Sequence, residues 1–278
     1  MCGTSPPDPF LLRAFGASDS FAGISYKTTA GLTIRSPAIN SALKTLVLVV
    51  MGQSLHCNTL PSLYVPANSS AIDNANIYDG ALYSIGGPLL GCTFVPTGTL
   101  TPGNLSAMLA DKLVPTFDRV ILMPIGIGST TVADWATGDL VNRSQVAMAR
   151  LASRGIVPGM TGVTFAAIFS LGAQDHVIGT SQAAWTASFN TLKANMLATG
   201  FNGRIFVTQE SFDGTGTSSA VRAAQAAAVD NITVFAAGDF DTLISATYRQ
   251  PNGHFTDVGG AAAATLIYNA MQASGAPF

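Results

Sequence analysis

Thr45-Leu46-Val47-Leu48-Val49-Val50-Met51-Gly52-Gln53-Ser54-Leu55-His56 joins an unbroken apolar run to a glycine and then to a serine. A run this short and rich in valine and leucine reads as a strand buried on both faces, the kind found inside parallel sheets. Gly52 permits a tight exit from that strand, which puts Ser54 at its carboxyl end, where ligands bind in open α/β sheets. A serine there also meets the N-terminus of the following turn or helix, whose dipole and free N–H groups help stabilise developing negative charge. Taken alone, the tripeptide better fits a serine that merely caps a helix.

Working outward, further aliphatic runs at Arg119 to Ile125, Thr164 to Ser170, Arg204 to Thr208 and Ile232 to Ala236 read as buried strands. Helical patterns lie between and after them at Asn104 to Val114, Ser144 to Arg154, Gln182 to Thr199, Ser218 to Val229 and Asp257 to Met271. Parallel strands need crossover connections, and helices cover both faces of such a sheet. The expected fold is therefore α/β, a three-layer α/β/α sandwich around a mainly parallel, roughly five-stranded, flavodoxin-like sheet. Residues 1–44 read as a lead-in with one or two edge strands packed on a single domain of residues 45–278. The segment from Pro61 to Pro102, rich in Gly, Pro, Asn and Ser, reads as a long irregular connection suited to carrying a binding surface.

Composition excludes several classes of function. Of the 278 residues, 48% are hydrophobic and 10% charged, and the formal charge is −2. There is no Lys/Arg run of the kind that nucleic acid or an anionic membrane surface attracts. The strongest apolar run is far shorter than the roughly 18 residues that span a bilayer. No signal peptide is visible in Met1-Cys2-Gly3-Thr4-Ser5-Pro6-Pro7. The low charge and many small residues suit an extracellular or virion-surface protein. Cys2, Cys57 and Cys92 lack metal-ligand spacing, and Cys57 and Cys92 are left either as a pair or as two buried thiols. No metal and no cofactor is expected, since neither a His/Cys cluster nor a phosphate-cradling glycine loop followed by lysine is present.

Val50 to His56 resembles the first motif of the SGNH (GDSL-like) hydrolase superfamily, in the Gly-Gln-Ser style of sialate O-acetylesterase and acetylxylan esterase relatives. Three more stretches follow in family order. Thr101-Pro102-Gly103-Asn104-Leu105 is similar to the second motif, which implies an oxyanion-hole amide at Gly103, with Gly91 or Gly87 as substitutes. Ser170-Leu171-Gly172-Ala173-Gln174-Asp175-His176 is similar to the third, with Gln174 where the family has asparagine and Ala173 where many relatives carry an ancillary glutamate. Gly253-His254-Phe255-Thr256-Asp257-Val258-Gly259 fits the last motif and implies that His254 is the base. Ile121 to Trp135, with its Gly-Ser-Thr turn and tryptophan, also looks like a feature of these relatives.

The resemblance implies a serine esterase, Ser54 attacking a carboxylic ester through an acyl-enzyme, with an O-acetylated glycan as substrate. Its oxyanion hole would combine the Ser54 and Gly103 amides with the Gln174 side chain. One departure matters for the chemistry: the expected triad acid, three residues before the histidine, is Pro251. Three repairs stay open. The imidazole is held by a backbone carbonyl or by Asn252; or an acid is recruited from Asp239, Asp241 or Glu210; or Asp257 serves. His56, His176 and Trp135 are expected to bind substrate, with Tyr64, Tyr78, Tyr83 and Phe94 as further aromatic candidates for a sugar face. Esters of lipids or aryl alcohols are alternative substrates. A weak or inactive carbohydrate-binding or structural module of the same fold is the alternative from another class.

Overall fold

The computed structural model describes residues 24–93, 102–137 and 139–277. The described residues form one eight-stranded sheet, β1 (Ile34–Arg35), β2 (Thr45–Gly52), β3 (Ile72–Ala75), β4 (Leu82–Ser84), β5 (Arg119–Pro124), β6 (Val163–Ser170), β7 (Arg204–Gln209) and β8 (Val234–Asp239), in the order β1-β4-β3-β5-β2-β6-β7-β8. β2 lies at the centre, paired in parallel with β5 on one side and β6 on the other. The chain winds first to one side of β2 and then to the other, and this reversal opens a crevice at the carboxyl ends of these strands.

Helices α1 (Leu105–Leu113), α2 (Val132–Ala136), α3 (Asp139–Ser153), α4 (Ala173–Val177), α5 (Gln182–Ala198), α6 (Ser219–Ala227) and α7 (Asp257–Ala273) complete the described part. The central strand shows why three layers form. Val47, Val49 and Met51 pack into one core with Trp135 of α2, Leu151 of α3, Trp185 and Phe189 of α5 and Val221 of α6. Leu46, Leu48 and Val50 pack into the other with Leu109 of α1 and Ile267 of α7. Alternate side chains of a strand point to opposite faces, so a continuous apolar run is buried twice.

The five expected parallel strands are β2, β5, β6, β7 and β8, but the sheet has eight strands rather than about five. β3 and β4 lie in the stretch read as irregular, and β1 lies in the lead-in. β3 reads Ile-Asp-Asn-Ala, a composition that strand propensity disfavours. Tertiary partners override that preference: Asp73 takes a hydrogen bond from Arg119 Nε at 2.6 Å, and Asn74 bridges to the Leu90 backbone. β4 then pairs antiparallel with β3, and β1 with β4. No helix among the described residues is long and apolar enough to cross a membrane.

Candidate active site

The crevice holds a small cleft of about 120 Å³, lined by Gln53, Ser54 and Leu55 after β2, Ser129 after β5, Ala173, Gln174 and Val177 of α4, Phe212 and Asp213 after β7, and Asn252, Gly253 and His254 before α7. Ser54, Gln174 and His254, more than 70 residues apart in sequence from one to the next, thus face one space.

Ser54 opens a single 3-10 turn, Ser54–His56, so its amide has no acceptor within the turn. Gly52 leaves the sheet at φ 155°, and a Cβ there would lie 2.6 Å from the Ser170 carbonyl, so only glycine allows this close exit. The turn is held from beneath. Cys57 N–H donates to the Ser54 carbonyl, and the Thr59 hydroxyl donates to it at 2.9 Å. The Gln53 side chain donates to the buried carboxylate of Glu210, which also accepts from the Ser170 hydroxyl. Burial pushes the Glu210 carboxyl up, opposed by these hydrogen bonds and by the Arg249 charge. Glu210 therefore braces the residue next to Ser54. It is absent from the cleft lining.

His254 sits in a tight loop. Its amide donates to Asn252 Oδ1 at 3.1 Å, its carbonyl accepts from the Gln250 amide at 2.7 Å, and Arg249 Nη1 donates to the Gly253 carbonyl. Asn252 thus secures the backbone of His254. Among the described residues the imidazole itself has no hydrogen-bond partner, and the Ser54 hydroxyl has none either. Burial, and then the charge of Arg249, lower the His254 pKa below its ordinary value.

The acids proposed for recruitment are committed elsewhere. Asp239 and Asp241 both pair with Arg222, at 2.7 and 2.8 Å, and Asp241 also accepts from the Ser211 amide and hydroxyl and from the Phe212 amide. Neither lines the cleft; their work is to anchor the loop that carries Phe212 and Asp213 into it. Asp257 accepts from the Ser62 amide.

Gly103 also lies outside the cleft lining. Its amide donates to the Leu60 carbonyl at 2.8 Å, in an antiparallel bridge that leaves no donor for an oxyanion. Its neighbour Asn104 caps α1 through Ser106 N–H and donates to the His56 carbonyl, so this stretch supports the serine turn from behind. The Gly91 amide is likewise donated, to the Tyr26 carbonyl.

The residues expected to bind substrate are placed differently. His56 is fully buried, with Nδ1 3.3 Å from Ser106 Oγ and its ring stacked on Phe240, and burial pushes its pKa down to about 3. Trp135 is a core side chain whose Nε1 donates to Thr130 Oγ1. His176 faces the Ser211 carbonyl and Asp213 instead of the cleft. Tyr64 and Tyr83 donate to Asp111 and Asp79, and Tyr78 is likewise absent from the cleft lining. Phe94 falls outside the described residues. Cys57 and Cys92 are buried free thiols.

Val177, Phe212 and Asp213 line the cleft without having been named from the sequence, and Ser129 was read only as part of the Ile121 to Trp135 stretch, with no role of its own. Ser129 has φ 59°, a left-handed conformation uncommon for a residue with a side chain and often found at functional sites. The glycine-rich turn Gly126-Ile127-Gly128 after β5 was its available signal; Phe212 and Asp213 had only their place after a strand end.

No family model matches the chain, and neither does any curated protein. Solved structures do share its fold. A protein from Arabidopsis thaliana aligns with a TM-score of 0.59 at 16% identity, over 84% of this chain and 98% of that one. A Bacillus subtilis protein, YxiM, aligns at 0.50 and 14% identity over 84% of this chain and 58% of its own, so the present chain spans a little over half of it. A putative lipolytic protein of the G-D-S-L family from Desulfitobacterium hafniense gives 0.47 at 12% identity, over 81% and 98%. The likeness to the Arabidopsis and Bacillus proteins is, at these identities, one of fold alone.

Proposed function

We propose that this chain, which has the fold of the SGNH hydrolases, is a serine esterase in which Ser54 and His254 act as a dyad on a short-chain, O-acetyl ester of a carbohydrate. The observation that carries the reading is the convergence of Ser54, Gln174 and His254 on one cleft at the carboxyl ends of the central strands. His254 takes the Ser54 proton as the hydroxyl oxygen attacks the ester carbonyl, then returns it to the leaving alcohol. Water, deprotonated by the same imidazole, releases the carboxylic acid and restores Ser54. The amides of Ser54 and Ser129 and the side-chain amide of Gln174 are the donors for the oxyanion, and the small cleft suits a short acyl group. Without a carboxylate on its ring, His254 stabilises the imidazolium less than a full triad does.

A fluorophosphonate probe tests this directly. Label mapped to Ser54, together with hydrolysis of 4-nitrophenyl acetate, is the expected result. Neither label nor hydrolysis would put a carbohydrate-binding module of the same fold in place of the enzyme.

The pH profile supplies an independent check. A general base works in its neutral form, and burial with the Arg249 charge holds His254 below 6.5. In the pH dependence of kcat/KM, activity is therefore expected to be retained at neutral pH and lost on acidification through a pKa below 6.5. An acid limb centred above 6.5 would contradict His254 as the base in this environment.

A further inference from the structure

Asp213 is the one carboxylate among the described side chains lining the cleft, and no lysine or arginine lines it. Residues 94–101, which follow Thr93 in the chain, contain no charged side chain. The cation that acts on His254, Arg249, is buried and faces the carbonyls of Leu243, Gly253 and Phe240.

The Asp213 carboxylate is held in place. Oδ1 accepts from the Thr215 amide and hydroxyl, each at 2.8 Å, and from the Gly216 amide at 3.0 Å. Oδ2 lies 3.5 Å from His176 Nδ1, which also faces the Ser211 carbonyl at 3.0 Å. Desolvation opposes ionisation, yet the Thr215 and Gly216 hydrogen bonds and His176 outweigh it and hold the carboxyl below the usual range. Asp241 pins Ser211 and Phe212 from behind, and Gly214 packs against the backbone of Gly253 beside His254. A fixed negative charge thus borders the space in which the ester must sit, with no lysine or arginine among the described residues of the lining to offset it.

We propose that Asp213 sets the charge class of the substrate, so that the cleft accepts esters of neutral sugars or other uncharged alcohols and rejects esters that carry a carboxylate close to the scissile bond. This rests on the esterase reading above. Like charges confined near one another repel, and a partly buried pair is screened less than one in open water. Esters on acidic sugars are disfavoured for that reason. The same field acts on the product, because the acid released from a neutral ester becomes an anion and is pushed out as it forms.

The test compares 4-acetoxybenzamide with 4-acetoxybenzoate, two acetyl esters that differ chiefly in the charge of the leaving group, at a pH above the ordinary histidine range. Wild type is expected to prefer the neutral ester. Asp213→Asn keeps an Oδ1 acceptor for Thr215 and Gly216 and is expected to raise the anionic-to-neutral ratio of kcat/KM about five- to tenfold. In wild type, added salt is expected to move the ratio in the same direction by screening, which preserves the test if the variant does not fold. A ratio unmoved by both substitution and salt would overturn the role of Asp213 while leaving the esterase standing. Failure to hydrolyse either ester would remove the esterase and this inference with it.

Discussion

Ser54→Ala is expected to lower kcat/KM for 4-nitrophenyl acetate by about ten-thousandfold or more, with the melting temperature unchanged. The size follows from losing the covalent route: what survives is water attack assisted by the oxyanion donors, and removing a nucleophile typically costs far more than removing one donor. The unchanged stability follows from the structure. The Ser54 hydroxyl has no hydrogen-bond partner among the described residues, whereas the turn around it is held by the backbone carbonyl of Ser54, the Gln53 side chain and Cys57, all of which remain in the variant. Paired assays of hydrolysis and thermal melting separate the two effects. Activity within tenfold of wild type would move the nucleophile elsewhere, and among the described residues Ser129 is the other hydroxyl lining the cleft.

Gly172→Ala is expected to disrupt both stability and activity. A Cβ on Gly172 would lie 1.7 Å from the Glu210 carbonyl oxygen and 2.5 Å from Gln225 Nε2. That amide nitrogen donates to the carbonyls of Leu171 and Glu210, while its Oε1 accepts from the Glu210 amide, tying the exits of β6 and β7 together. A methyl group forces those exits apart. Overpacking and the loss of buried hydrogen bonds together cost about 3 kcal/mol, a fall in Tm of roughly 6–12 °C for a chain of this size. Gln174, two residues on, would shift with α4, and Glu210 would shift from Gln53, so turnover should drop in whatever fraction stays folded. A variant with wild-type melting and turnover would show that the two strand exits are not held as tightly as this contact demands.

Much of the frame was legible in the chain. The five central strands and the principal helices were readable because each is long enough for its period to exceed local noise, and Val47, Val49 and Met51 alternate with Leu46, Leu48 and Val50 in a strand apolar on both faces. β3 was not readable, since Asp73 and Asn74 take their places through Arg119 and Leu90, partners distant in sequence.

The candidate site divides along the same line. Residues marked by a short ordered motif, Ser54, Gln174 and His254, come together in the cleft. Gly103, His56 and Trp135 stood in equally suggestive positions, but what they do depends on which way an amide or ring points. Leu60 takes the first residue's amide, Phe240 stacks on the second, and Thr130 accepts the indole hydrogen of the third. Asp239 and Asp241 were reasonable acids by position until Arg222, from another element, claimed both.

Sequence alone determined the alternation of buried strand and amphipathic helix, the glycine exit before Ser54 and the chemical types available to the site, because those depend on local sterics and period. Only the tertiary structure decided which acids are neutralised, which amides remain free, and that Ser129, Phe212 and Asp213 complete the cleft. Charge pairing and hydrogen-bond commitment are set by neighbours that the fold brings together from distant positions in the chain.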